Sequence, residues 1–130
     1  MTKSELLKLP DIYLRIEQDK QRIHNMRARL YSPKGLDTRD KVQSSGGNGM
    51  LAETVIDMQQ KLDKRISEFD TLRAEADKMI AGRLKDDTAL VMRLRYVDCC
   101  NWAEISAMLD YSPATLYRYR RIALDILFKE

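Results

Sequence analysis

The sequence predicts an all-α protein: an amino-terminal helical hairpin or coiled coil over residues 1–84, then a helix-turn-helix domain over residues 85–130. Three features carry that expectation. Met50 to Leu84 holds apolar residues that step by three and four, the mark of a helix with one buried side. A shorter stripe of the same kind lies between Pro10 and Leu30. Behind both, Trp102 to Arg121 places apolar residues and caps where two short helices meeting at a sharp angle need them.

The first helix is read from Ile12, Ile16, Ile23, Met26 and Leu30, with Asp19 standing where the seam should continue. Arg15, Lys20, Arg22, Arg27 and Arg29 occupy its surface. A basic helix can touch phosphates, but cations on a coiled-coil exterior are more commonly just solvated. From Ser32 to Gly49 the periodicity stops, and Pro33, Gly35 and the run Ser44-Ser45-Gly46-Gly47-Asn48-Gly49 predict a flexible linker. Glycines ahead of a helix also suit a phosphate, yet no lysine followed by serine or threonine comes after Gly49, as a P-loop requires.

The second helix carries Leu51, Val55, Met58, Leu62, Phe69, Leu72, Ala76 and Met79 on its stripe, with Arg65 the one seam position that is not apolar. A first helix confined to Pro10–Leu30 covers only part of that stripe, so the remainder calls for another surface. Self-association through Met50 to Met79 is expected, as a homodimer, the arrangement with which helix-turn-helix proteins read two half-sites. Gly82 is expected to break this helix, and Asp86 or Asp87 to cap the next one. That next helix should bury Leu90, Val91, Leu94 and Val97, with Trp102 heading the following helix and packing onto it.

Within the helix-turn-helix, Ile105, Leu109, Tyr111, Leu116 and Tyr119 supply the buried contacts, and small Ser106 lets the backbones approach. Asp110 stands at the turn position where glycine is commonest; aspartate tolerates the left-handed conformation better than most residues. Ser112 reads as an N-cap and Pro113 as the first helical residue, where a missing amide hydrogen costs nothing. At about 100° per residue, Leu116, Tyr119, Ala123, Ile126 and Leu127 point to the core. Ala114, Tyr117, Arg118 and Arg121 face outward, with Arg120 and Ile122 at the flanks. Ser112 to Arg121 holds three arginines and no acid. A solvated face usually mixes signs, so this one points to a polyanion. Ala114, Tyr117 and Arg118 are assigned to base edges and Ser112, Thr115 and Arg120 to phosphates, and Arg121 completes the candidate DNA-binding set.

Leu94-Arg95-Tyr96-Val97, Asn101-Trp102-Ala103-Glu104-Ile105-Ser106, Tyr111-Ser112-Pro113-Ala114-Thr115-Leu116 and Arg121-Ile122-Ala123-Leu124 together resemble region 4 of bacterial sigma factors. The same order behind a coiled-coil part with Asp40-Lys41-Val42-Gln43-Ser44-Ser45 is similar to the ArpU/RinA-like phage regulators of late transcription. That resemblance covers nearly the whole chain. It implies a carboxy-terminal module that binds promoter DNA and activates phage packaging and morphogenesis genes, with host RNA polymerase as a further partner.

Composition bounds the alternatives. A chain of 130 residues, 44% hydrophobic, holds one modest domain and an appendage but not an enzyme-sized core with a deep pocket. The net charge of +3 divides into +4 over residues 1–49, −2 over 50–82 and +1 over 83–130. Cys99 and Cys100 are adjacent and are the only cysteines, which leaves no disulfide framework, and with His24 far away they make a poor zinc site. No metal or other cofactor is expected. Asp63 and Glu68 sit on a solvated helix exterior, and no serine or cysteine has a histidine placed by any motif, so an enzyme is not expected. No run approaches the roughly 20 apolar residues that span a bilayer, so the expected setting is the cytoplasm of a host cell, away from membranes. Two rival functions share the pattern: a DNA-packaging adaptor resembling a small terminase subunit, which would assemble as a ring, and a structural coiled-coil module that binds protein only.

Overall fold

A Thr2–Glu5 capping box opens the first helix. The Glu5 amide donates to Thr2 Oγ1 at 3.2 Å and the Thr2 amide to Glu5 Oε1 at 2.8 Å, and these hydrogen bonds hold the Glu5 carboxyl below its ordinary range. The computed structural model describes residues 1–31 and 38–129, and the side chains of all of these except 31 and 38–48. It is all-helical: α1 Lys3–Tyr31, α2 Thr38–Arg83, α3 Asp86–Met92 continued by a π-helical turn Arg93–Val97, α4 Trp102–Leu109 and α5 Pro113–Phe128. α1 and α2 pack as a hairpin. α1 starts at Lys3, ahead of the predicted Pro10, because Leu6 and Leu9 extend its stripe and are fully buried. Pro10 lies inside it and brings no amide hydrogen, so the Leu6 carbonyl has no donor four residues on.

The predicted linker requires a correction. Residues 32–37 lie outside the described residues, and from Thr38 onward the backbone is helical. Extending a helix adds a hydrogen bond for each residue, while a glycine costs only about 1 kcal/mol against alanine, so the glycine cluster weakens the helix without ending it. Gly82 likewise does not break α2. No glycine has a positive φ among the described residues, the helix runs to Arg83, and the Leu84 amide still reaches the Ile80 carbonyl at 2.9 Å. Nor do Asp86 and Asp87 cap α3. Lys85 is its N-cap with no side-chain hydrogen bond, and Asp86 sits at φ 55°.

The chain divides into two units, Leu14–Ser67 and Met1–Tyr13 with Glu68–Glu130. In the first, Ile16, Ile23, Val55 and Leu62 are buried along the hairpin seam. The two interruptions of the apolar stripes meet there: Arg65 Nη1 donates to Asp19 Oδ2. Beside them Arg27 donates to Gln59 at 3.0 Å, and Gln59 to Asp63 at 2.8 Å.

In the second unit Phe69, Ala76, Ile80 and Leu84 are buried, as are Leu6 and Leu9 of α1, and the Tyr13 and Phe69 rings lie 6.2 Å apart. Leu62 and Phe69 are therefore buried at 4% and 5% exposure within a single chain. The length mismatch that called for a second copy disappears once α1 has 29 residues.

The π-helical turn changes which residues of α3 face inward. Asp98 donates to the Arg93 carbonyl at 2.9 Å, a turn wider than the α-helical one. It brings Tyr96 to the side of Val91, five residues back, and both are buried. Leu90 is 40% exposed, and Leu94 and Val97 are only half-buried, which corrects the predicted face. The core of the helix-turn-helix is Val91, Ile105 and Leu116, with Leu94, Cys100, Trp102, Leu109, Tyr111 and Tyr119 packed against it.

Candidate nucleic-acid interface

Local chemistry sets both helices of the motif. Asn101 caps α4 in a capping box: its side chain accepts from the Glu104 amide at 2.8 Å, and Glu104 Oε1 accepts from the Asn101 amide at 3.2 Å. α4 ends at Asp110, which adopts φ 56°, ψ 40°, the left-handed conformation its turn position demands. Ser106 sends its hydroxyl to the Tyr111 carbonyl, so the small residue required by close approach also ties down the turn. Ser112 then caps α5 by accepting from the Thr115 amide at 3.3 Å, with Pro113 behind it. Each of these local expectations matches the structure.

Around this frame three side chains act as braces. Tyr111 donates its hydroxyl to Asp87 at 2.9 Å, and the phenol pKa rises to about 12, first through that hydrogen bond and then through desolvation. The bonded form is fully protonated below the ordinary value of 10 and is lost only as pH climbs through about 12. Arg95 donates to the Cys100 carbonyl at 3.0 Å and lies 5.2 Å over the Trp102 ring, which fixes the connection into α4. Arg83, from the end of α2, donates to the Leu127 and Ile126 carbonyls, both at 2.8 Å, and so closes the carboxy-terminal end of α5. The motif marked neither Arg83 nor Asp87, since their partners are distant in sequence. The cationic last residue of α2 was the only readable hint.

The outward face of α5 holds Ala114, Tyr117, Arg118 and Arg121, all exposed. Ser112 is exposed beside them, while Thr115 is half-buried with its hydroxyl 3.0 Å from that of Ser112. Tyr117 leans on Trp102 with ring centroids 5.9 Å apart. Trp102, Ala103, Ser106, Pro113, Leu116 and Tyr117 line an open groove of about 370 Å³ where the two helices meet. Arg120 stands apart from the other six candidates: it is half-buried, and its Nε donates to the hydroxyl of buried Tyr96 at 3.0 Å. The inward side of α5 is rotated accordingly. Leu116, Ala123, Leu124 and Leu127 are buried, while Ile126, expected inside, is 45% exposed, because α3 packs on the Arg120 side of the helix.

Cys99 and Cys100 line the approach to α4. Cys99 sits at φ 57°, and desolvation pushes its thiol to about 11. Burial raises the Cys100 thiol as well. Both remain protonated near neutral pH, which makes them poor nucleophiles and poor metal ligands. Among the described residues, no group of three or more His, Cys, Asp and Glu side chains could hold a metal ion, and no helix is long and apolar enough to cross a membrane. Comparison of the chain with protein-family models, curated proteins and solved structures finds no match.

Proposed function

We propose that this protein is a sequence-specific DNA-binding regulator of transcription, with α5 as the helix that enters the major groove. The observation that carries the reading is the outward face of α5, where Ala114, Tyr117, Arg118 and Arg121 are exposed and no acid intervenes from Ser112 to Arg121. Arginine pairs with both acceptors of a guanine edge, and a small residue early in the helix permits close approach to the bases. The brace between Arg120 and Tyr96 supports assigning base contact to Arg118 and a structural role to Arg120. On the resemblance to ArpU/RinA-like regulators, the regulated genes are those for phage packaging and morphogenesis, the effect is activation, and RNA polymerase and a second copy of the chain are partners.

Selection of a preferred duplex from a random pool, followed by binding measurements at fixed salt, tests the reading. Arg118→Ala should weaken the preferred site about 5- to 150-fold, equivalent to about 1 to 3 kcal/mol, and random duplex much less. Equal losses on both duplexes would remove α5 as the reading helix. Failure to select any preferred sequence would remove the function.

A further inference from the structure

α1 carries a second feature that the helix-turn-helix does not use. Arg15, Arg22 and Arg29 recur at seven-residue intervals and are all exposed, so they form a straight row with rungs about 10.5 Å apart. Ile16 and Ile23, each 3% exposed, mark the buried seam beside them. The row thus occupies one flank of the hairpin, while Lys20 and Arg27 occupy the other.

Flank positions of paired helices ordinarily carry opposite charges that bridge the seam. The second flank follows that habit in polar form, with Arg27 bonded to Gln59 at 3.0 Å. The arginine flank does not. By the same heptad register, the matching flank of α2 within this unit holds Thr54 and Lys61, and Lys61 is paired with Asp57 at 3.1 Å. The two acids of α1 between Leu14 and Tyr31 are also engaged: Glu17 lies 3.3 Å from Lys20, and Asp19 holds Arg65. Pairing within the hairpin therefore leaves the row unexplained, and its sign is uniform.

We infer that the Arg15–Arg22–Arg29 row is a second nucleic-acid surface, which takes the phosphodiester backbone of duplex DNA without reading its sequence. The inference rests on duplex DNA being the ligand of α5 and adds a site on the other unit of the chain. All three rungs are arginine, the side chain that grips phosphate oxygens in pairs, and the outward face of α5 is armed with the same residue. Such a row would supply affinity and leave discrimination to α5.

The test uses the full chain and the slope of log affinity against log salt on random-sequence duplex. The triple variant Arg15→Gln, Arg22→Gln, Arg29→Gln should lower that slope by about 0.9 for each rung that meets a phosphate, hence by about 2 to 3, with the ratio of preferred to random affinity unchanged. The corresponding triple lysine variant, which keeps the charges, should retain most of the slope. Both remain folded by far-ultraviolet circular dichroism if the row is solvent-facing. An unchanged slope in the glutamine variant, with an Arg118-dependent preference intact, would overturn the row and leave the proposed function standing. Binding of polyglutamate as tight as that of duplex, lost equally in the glutamine variant, would overturn the assignment to phosphodiester. Absence of salt-dependent binding to any duplex by the unmodified chain would sink both proposals together.

Discussion

Arg120 shows how far one side chain's role depends on what lies behind it. By angle alone it belongs at the edge of the reading face, among phosphate contacts, and nothing in its neighbours says otherwise. In the folded chain its Nε donates at 3.0 Å to the hydroxyl of Tyr96, a residue 3% exposed. Removing the guanidinium leaves a buried hydroxyl without its partner, which costs about 1 to 3 kcal/mol. Arg120→Ala should therefore lower the denaturant midpoint, and adding Tyr96→Phe should recover much of the loss because no hydroxyl then remains to satisfy. A single variant as stable as the parent would show that the bond contributes nothing. Caps were the most legible residues: Ser112, Pro113 and Asp110 act through neighbours within a few positions, so their roles can be read locally. Thr2 and Glu5 were equally readable, as a threonine followed three residues later by glutamate, and were passed over because the apolar stripe drew the start of the helix to Pro10.

Among the elements, the hairpin turns two apparent defects into one specification. Asp19 and Arg65 each break an apolar stripe, and taken singly each reads as a flaw; only the antiparallel pairing of α1 with α2 brings them together. A polar pair on an otherwise apolar seam stabilises weakly but penalises any other register, where each partner would face a hydrocarbon. Asp19→Leu should destabilise the chain by about 1 kcal/mol, because it leaves Arg65 half-exposed against the seam with no acid, whereas adding Arg65→Leu should restore or raise the melting temperature. Strictly additive effects of the two substitutions in a double-mutant cycle would mean that the pair is not coupled. The π-helical turn and the closure of α5 by Arg83 were beyond reach of periodicity for the opposite reason. A widened turn leaves the residue types unchanged, and a carbonyl-capping arginine looks like any other surface cation until its partner is placed.

For the whole molecule, the stripe from Val55 to Ala76 decides what kind of protein this is. Its periodicity was plain in the sequence, but its partner was not, since that depended on the length of α1. With 29 residues in α1, Leu62 is 4% exposed in one chain. Leu62→Glu should consequently collapse helicity and bring early, broad melting, since burying an unpaired carboxylate costs several kcal/mol unless it is neutralised or solvated. A variant that stayed fully helical and only halved its sedimenting mass would instead place Leu62 between copies of the chain. Fold class, helix order and the reading face of α5 were thus within reach of patterning and caps. The cross-braces were not, because each joins residues that only the tertiary fold brings together.

The π-helical turn at Arg93–Val97 has a consequence for how the chain tolerates changes in length. A widened turn is the footprint of one residue more than an α-helix of that rise requires. Excising a residue there would let the helix regularise and would swing everything beyond it by about 100°. Tyr96 would leave the side of Arg120, and the path into Asn101, which starts α4, would be redirected. Insertions and deletions that a surface loop absorbs would therefore be read at this turn as a rotation of the entire helix-turn-helix, and the segment's length is held as strictly as the identity of any buried residue.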